Sequence, residues 1–173
     1  IASSEDDSLR DCSVYGKFSE LVADPSVDAI YVGVPTSDHV AWCLSCCVAK
    51  KHVLVEKPLG ADLSQAVAIC DAFSVAGLVI MDASSFVHHS RTRRMVEELR
   101  EKRNFGPVKR AEACLGFNGE DDVVDPEREP LGCVGDLGWY VAKWRLLAFG
   151  PRSTPYAAIA THFLFDGDVP VEL

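Results

Sequence analysis

The chain has 173 residues, of which 48% are hydrophobic and 25% are charged, a composition typical of a soluble globular protein with one domain or slightly more. Its net charge of −9, with no basic cluster beyond Arg91, Arg93 and Arg94, argues against a nucleic-acid partner, because phosphate binding requires a concentrated positive field. No apolar run approaches the ~20 residues of a membrane-spanning helix, and the first residues do not predict a signal peptide, so we expect no membrane association.

The first half of the chain alternates between short apolar strands and helices. We predict strands over residues 27–34, 52–55 and 78–81, and helices over 39–51 and from Asp62 or Ser64 to Ala76, with Gly77 as the stop. From Ala29 onward the first strand is apolar on both faces, which is typical of parallel strands covered on both sides. This alternation predicts right-handed βαβ units and a parallel sheet.

The pattern changes after Met81. We predict a charged amphipathic helix over 88–103, a strand over 108–117, an exposed acidic loop over 119–129, a turn and helix over 131–149, and a final strand over 157–165. The 108–117 segment alternates more than the earlier strands, as strands of an antiparallel sheet with one solvated face do. The sequence therefore predicts an α/β unit followed by an α+β unit.

The strand over 52–55 is followed by Glu56, Lys57 and Pro58. A buried strand that ends on two charges needs an explanation, because burying an unpaired charge is costly. Pro58 cannot extend the strand pairing, so Lys57 would be presented at the carboxyl end of the strand, where open α/β sheets bind their ligands. Lys57 is therefore a candidate site residue, and a surface salt bridge at a strand end is the alternative explanation.

Five of the seven cysteines lie within apolar segments: Cys43, Cys46, Cys47, Cys70 and Cys114. Free thiols in a reducing compartment pack in this way as small hydrophobic residues, which predicts a cytoplasmic location. A zinc site or metal-binding redox module, built on the first three of these cysteines and His52, is an alternative. The spacing offers no second pair of ligands, so we expect no metal.

Three motifs occur together: Pro35-Thr36-x-x-His39 after a strand, Glu56-Lys57-Pro58 after the next strand, and Gly135-Asp136-Leu137-Gly138-Trp139-Tyr140 late in the chain. With these motifs, roughly residues 1–165 resemble the Gfo/Idh/MocA oxidoreductases. The form with Tyr140 is similar to the branch of glucose–fructose oxidoreductase, NADP-dependent xylose dehydrogenase and dihydrodiol dehydrogenase. The segment from Met81 to Thr92 resembles plant-type eukaryotic members.

The resemblance implies two parts. Residues 1–83 would form a partial NAD(P)-binding Rossmann domain, a doubly wound parallel sheet. Residues 84–173 would form a partial C-terminal α+β domain with an antiparallel sheet, for substrate binding and oligomerisation. The implied activity is hydride transfer between NADP or NAD and a small sugar, cyclic diol or other alcohol, and the full-length protein would be a homo-oligomer.

The resemblance also implies catalytic roles. Tyr140 would exchange the alcohol proton, with Lys57 as its electrostatic partner, since a nearby ammonium favours a phenolate. A core tyrosine with a satisfied hydroxyl is the alternative for Tyr140. Asp136 would orient a substrate hydroxyl, or alternatively cap the helix that follows it.

Six residues are implied to lie against the cofactor: Ser3, Pro35, Thr36, His39, Glu56 and Lys57. Ser3 would stand where the adenosine ribose is recognised, and Pro35 and Thr36 would lie near the nicotinamide ribose. His39 would either contact the cofactor or pack at the start of the helix that it begins.

Members of this family begin with a strand and a G-x-G-x-x-G turn, and this sequence contains no such turn. The spacing Gly132-x-x-Gly135-x-x-Gly138 is not a substitute, because it does not join a strand to a helix within a βαβ unit. We therefore expect a fragment that is inactive as given. A catalytically inactive, truncated relative that acts as a binding or structural subunit is the alternative function.

We predict that the 173-residue chain binds NADPH poorly, because the backbone N–H groups and the helix end that hold the pyrophosphate would precede Ile1. Loss of two charge-assisted hydrogen bonds, at roughly 1.5–3 kcal/mol each, weakens binding by roughly two to four decades. Titration of NADPH into the purified chain, followed by its fluorescence, measures this affinity. Micromolar binding would show that other residues supply the cradle.

Overall fold

The computed structural model describes residues 12–101, 106–115, 127–152, 164–166 and 169–172. In the first half, three strands form a parallel sheet in the order β1–β2–β3: β1 is Ala29–Val32, β2 is His52–Val55 and β3 is Ile80–Asp82. Val32 pairs with Val55, and Val55 pairs with Asp82, so the carboxyl ends of the strands lie level at one edge of the sheet. The predicted parallel sheet is therefore confirmed.

The helices of the first half are α1 (Phe18–Ala23), α2 (His39–Val48) and α3 (Leu63–Ala76). Helix α3 begins after Asp62, whose carboxylate accepts a hydrogen bond of 2.8 Å from the N–H of Gln65. Of the two predicted caps, Asp62 rather than Ser64 is the one that forms. The helix ends at Gly77, whose φ of 67° lies in the left-handed region that favours glycine.

The core lies on one face of the sheet, between the strands and helices α2 and α3. It consists of alternate strand residues and one side of each helix: Ile30, Val32, Cys43, Cys46, Cys47, Val53, Val55, Ile69 and Phe73. Because side chains alternate along a strand, Ala29 and Tyr31 point to the other face, and Tyr31 is 58% exposed. The prediction that β1 is covered on both sides is wrong for the described residues, since the hydroxyl of Tyr31 bonds to Glu56 in an exposed position.

The second half contains α4 (Ser90–Arg100), α5 (Trp139–Phe149) and an antiparallel pair, β4 (Leu164–Asp166) and β5 (Val169–Glu172). A 3-10 turn, Ser85–His88, leads into α4, and a π-turn, Val134–Gly138, leads into α5. These are the kinds of element predicted for an α+β unit. None of the helices in the part of the chain that the structure describes has the length and apolar character that a membrane span requires.

Some predicted boundaries are corrected. The prediction of a strand over 108–117 is wrong for residues 108–115, which form no strand. Alternation of apolar and polar residues does not by itself supply a partner for the backbone hydrogen bonds. Helix α2 ends at Val48 rather than at the predicted residue 51, since Lys50 turns the chain with a φ of 62°. The Lys51 ammonium then donates to the carbonyl oxygens of Asp24 and Val27. Residues 1–11, most of the predicted 119–129 loop and residues 157–163 of the predicted final strand lie outside the described residues.

The cysteines of α2 pack in the core. Burial raises the pKa of Cys43 to about 12 and that of Cys46 to about 11. Metal ligation requires thiolates, which this environment opposes. The Nδ1 atom of His52 accepts a hydrogen bond of 2.9 Å from the Val79 N–H, so this ring has a structural partner. Cys70 and Cys114 differ from the prediction, because both are exposed.

We predict that Phe73→Ala lowers the free energy of unfolding by about 3–5 kcal/mol, because its fully buried ring would leave a cavity in the core. Val75→Ala, on the same helix but 90% exposed, should change it by at most about 0.5 kcal/mol in either direction. Urea denaturation followed by circular dichroism measures both values. Equal effects would contradict the assignment of Phe73 to the core.

Candidate active site

Two turns follow β1 and β2 and lie side by side at the carboxyl edge of the sheet, where α/β proteins bind ligands. The first turn, residues 33–38, contains Pro35 and a short 3-10 helix, Thr36–Asp38, that leads into α2. The second turn, residues 56–62, begins with Glu56 and Lys57 and leads into α3. Four of the eight predicted site residues lie on these turns, namely Pro35, Thr36, Glu56 and Lys57, whereas Ser3 lies outside the described residues.

The imidazole of His39 is fully buried and connects the two turns. Its Nδ1 lies 2.9 Å from the carbonyl oxygen of Pro58, and its Nε2 lies 2.9 Å from the carbonyl oxygen of Val34. With both nitrogens facing backbone oxygens and no exposed surface, the ring has no face left for a cofactor. The predicted cofactor contact of His39 is therefore corrected, and its alternative, packing at the start of α2, describes the structure.

Thr36 is buried and bonded to Glu129, a residue of the second half. The Thr36 hydroxyl donates to Glu129 Oε2 at 2.5 Å, and the Thr36 backbone N–H donates to Glu129 Oε1 at 3.2 Å. The neighbouring N–H of Ser37 donates to the carbonyl oxygen of Arg128 at 3.1 Å. Both donors of Thr36 are thus used within the chain, and its placement near the nicotinamide ribose stays a prediction. Sequence reasoning missed Glu129, which lies in a stretch predicted as an exposed loop.

Lys57 reaches across to the second half of the chain. Its ammonium forms an ion pair with the Asp136 carboxylate and donates to the Asp136 carbonyl oxygen at 3.2 Å, with 16% of the lysine side chain exposed. The same Nζ atom lies over the Tyr140 ring, 5.4 Å from its centre. Beside it, the Glu56 carboxylate accepts from the hydroxyl of Tyr31 (2.5 Å). Lys57, Asp136 and Tyr140 therefore meet at the carboxyl end of β2.

The π-turn that carries Asp136 is tightly packed at Gly135. A Cβ atom on Gly135 would clash with the Cβ of Leu131 at 2.7 Å, whereas it would lie at an ordinary contact distance of 3.5 Å from the Cγ of Pro58. Asp136 lies inside this π-turn and caps no helix, so the alternative role as an N-cap is excluded. Single π-turns are frequent at functional sites.

A cleft of about 1500 Å³ opens between α4, α5 and residues 111–115. Asp136 and Tyr140 line it together with apolar side chains. The Phe86 ring contacts the rings of Tyr140 (centres 5.6 Å apart) and Trp144 (5.2 Å), which forms an aromatic wall. The cleft could hold a ring-shaped molecule beside Tyr140, because aromatic faces pack well against the apolar faces of such rings.

A second polar contact joins the two halves at the end of β3. The Lys143 Nζ atom donates to Asp82 Oδ2 at 2.7 Å. The Trp139 Nε1 atom donates to the Ser84 hydroxyl at 2.8 Å. Ser84 in turn donates to the Asp82 carboxylate from both its N–H and its hydroxyl. Burial alone would raise the pKa of Asp82, but the hydrogen bonds from Lys143 and Ser84 and the ammonium charge lower it below its usual value. Asp82 is therefore an ionised partner of Lys143.

Residues 5–83 match the sequence profile of the Gfo/Idh/MocA proteins, described as an oxidoreductase family with an NAD-binding Rossmann fold. The chain is also 32% identical over 160 residues to D-xylose 1-dehydrogenase (NADP(+)) 2 of Haloferax volcanii, which covers 90% of this chain and 48% of the relative. The chain belongs to the Gfo/Idh/MocA oxidoreductase family. The resemblance inferred from the three motifs is thereby confirmed.

Other Gfo/Idh/MocA relatives agree. Trans-1,2-dihydrobenzene-1,2-diol dehydrogenase of Macaca fuscata fuscata is 31% identical over 140 residues, which is 79% of this chain and 41% of the relative. The solved structure of an NAD binding oxidoreductase from Klebsiella pneumoniae superposes on this chain with a TM-score of 0.66 at 24% identity. The superposition covers 79% of this chain and 38% of the solved chain, and it supports the fold described above. The chain spans about half the length of the curated relatives, 48% and 41%.

We predict that His39→Phe destabilises the protein by about 1–3 kcal/mol, because it removes the ring N–H that donates to a backbone carbonyl oxygen in these two turns. His88→Phe is the matched control: this residue is exposed, and the change should be within about 0.5 kcal/mol. Urea unfolding measures both. Unchanged stability of His39→Phe, together with weaker NADPH binding, would restore the cofactor role.

Proposed function

We propose that the protein that carries this chain transfers a hydride between NADP(H) or NAD(H) and a ring hydroxyl of a sugar or cyclic diol. The observation that supports this most is the meeting of Lys57, Asp136 and Tyr140 beside the cleft at the carboxyl end of β2. The relatives named for xylose and dihydrobenzenediol oxidation belong to the same family and favour the same substrate class.

Tyr140 exchanges the proton of the reacting hydroxyl. In the oxidation direction, a bound nicotinamide would accept a hydride from the C–H bond of the alcohol, and the Tyr140 oxygen would accept the proton of its O–H bond. The Lys57 ammonium, next to the Tyr140 ring, stabilises negative charge on the oxygens of this site. The Asp136 carboxylate holds Lys57 in place and accepts a hydrogen bond from a neighbouring substrate hydroxyl.

The described residues fit the nicotinamide end of the cofactor. Pro35, Glu56 and Lys57 are half-buried and follow adjacent parallel strands, where a bound dinucleotide crosses an α/β sheet. Pro35 would pack against the nicotinamide ribose, and Glu56 and Lys57 would bond to its hydroxyls. Thr36 would contribute through its position in the turn, because its two donors bond to Glu129.

The boundary between the cofactor domain and the substrate domain is placed between Ala83 and Ser84. The family match ends at residue 83, and β3 ends at Asp82. Beyond that point the chain enters the helices that border the cleft. These observations support a cofactor domain over residues 1–83 and a substrate domain over residues 84–173.

A cytoplasmic location is also proposed. Cys43, Cys46 and Cys47 are free thiols buried in the core. Unpaired thiols are typical of proteins kept in a reducing compartment, whereas secreted domains usually pair them.

We predict that Tyr140→Phe and Lys57→Met each lower kcat by about 100-fold or more in the protein that carries this chain, because each removes a group that acts on the reacting hydroxyl. Tyr140→Phe keeps the ring contact with Phe86, so its folding should not change. Turnover is measured by NADPH absorbance with pentoses, hexoses and cyclic diols, and with both cofactors. Undiminished turnover in Lys57→Met would remove Lys57 from the mechanism.

A wild-type protein inactive towards all these substrates with both cofactors would contradict the proposal. That result would favour a non-catalytic binding or structural subunit.

A further inference from the structure

Helix α5 carries Tyr140 and is held to the first half of the chain on both sides of this residue. Before it, Asp136 bonds to Lys57 after β2. Around it, Trp139 bonds to Ser84 and Lys143 bonds to Asp82 at the end of β3. The contacts at β3 involve residues to which the proposed reaction assigns no role.

The contacts at β3 control the rotation of α5. Trp139, Tyr140 and Lys143 lie within a sector of about 100° on an α-helix, so a helix that turns about its axis carries all three together. The bonds from Lys143 to Asp82 (2.7 Å) and from Trp139 to Ser84 (2.8 Å) are short and directional. A rotation that moves Tyr140 away from Lys57 must therefore stretch both bonds.

The surroundings of α5 make this restraint necessary. Tyr140, Val141, Trp144 and Ala148 border the open cleft, so packing on that side leaves room for the helix to turn. The contact on the neighbouring side of α5 is partly buried: the side chains of Lys143 and Asp82 are 25% and 19% exposed. The Lys143 ammonium also lies 5.3 Å from the centre of the Trp139 ring, over its face, which adds a cation–π contact.

Charged hydrogen bonds in such a position are stronger than neutral ones and restrict geometry more tightly. The carboxylate of Asp82 is itself fixed, because Ser84 donates to it from both its N–H and its hydroxyl. Asp82 lies at the end of β3, which pairs with β2, the strand that presents Lys57. The position of Tyr140 relative to Lys57 is thus transmitted through β3, Asp82 and Lys143.

We propose that Asp82 and Lys143 are positioning residues of this oxidoreductase: their ion pair sets the rotation of α5 so that the Tyr140 hydroxyl faces Lys57 and the reacting group. The inference rests on the proposed function for its kinetic consequence. Its structural part, the orientation of Tyr140, stands independently of turnover.

The kinetic test compares Lys143→Met and Asp82→Asn with Lys143→Arg in the protein that carries this chain. Loss of the pair should lower kcat by about 10- to 100-fold, because small misplacements of a reacting group have effects of this size. The dissociation constant of NADPH should change less than about twofold, since neither residue lies on the cofactor turns. Lys143→Arg should recover most of kcat, because it keeps the charge and the donor.

Lys50→Met is the matched control, because it removes an exposed ammonium that precedes β2 at the opposite edge of the sheet, and it should leave kcat unchanged. Unchanged kcat in both Lys143→Met and Asp82→Asn would overturn the proposal. Equal losses of kcat and NADPH affinity would also overturn it, since they indicate general damage to the fold. If Lys143→Met does not fold, Asp82→Asn carries the test, because it keeps the shape of the side chain.

A second readout separates this inference from the proposed function. Tyrosines are replaced by 3-fluorotyrosine, and the fluorine resonance of position 140 is assigned by its absence in Tyr140→Phe. Lys143→Met should shift the resonance of position 140 and leave those of Tyr15 and Tyr31 in place. An unchanged resonance overturns the inference even if the protein is active, whereas a shifted resonance in a protein without turnover supports it and rejects the proposed function.

Discussion

The arrangement of the site depends on the buried imidazole of His39. Its two nitrogens lie 2.9 Å from the carbonyl oxygens of Val34 and Pro58, one in each of the turns that follow β1 and β2. Because the ring is excluded from water, a carbonyl oxygen that accepts its N–H cannot exchange this partner for solvent without a cost. The two turns therefore behave as one rigid surface, and Lys57, next to Pro58, has a defined position on it.

The second half of the chain contacts this surface through polar and charged groups. Glu129 accepts both donors of Thr36, Asp136 pairs with Lys57, and Lys143 pairs with Asp82. Apolar packing tolerates small rotations, whereas hydrogen bonds to charged groups weaken quickly when distance or angle changes. Contacts of this kind hold α5 against the first half of the chain and still leave an open cleft beside Tyr140.

Much of the first half could be predicted, because its signals are local. Short apolar runs gave the three strands, and Asp62 and Gly77 marked the ends of α3. The strand predicted over 108–117 failed for residues 108–115, since alternation identifies a strand only where a partner strand exists. In the site, the motifs identified Lys57, Asp136 and Tyr140, but they gave no indication of Glu129 or Lys143, whose partners lie 93 and 61 positions away.

By itself, the sequence determined the βαβ order, the end of α3 at Gly77 and the presentation of Lys57 at the end of a strand, because each depends on residues within a few positions. Only the tertiary structure decided whether His39 faces a cofactor or the protein interior. The same motif is compatible with both, and the choice depends on the turn at Pro58, 19 positions away, which supplies the second carbonyl oxygen and buries the ring. The pairing of Asp136 with Lys57 was likewise decided by the tertiary structure, because the two residues lie 79 positions apart and no local pattern encodes their contact.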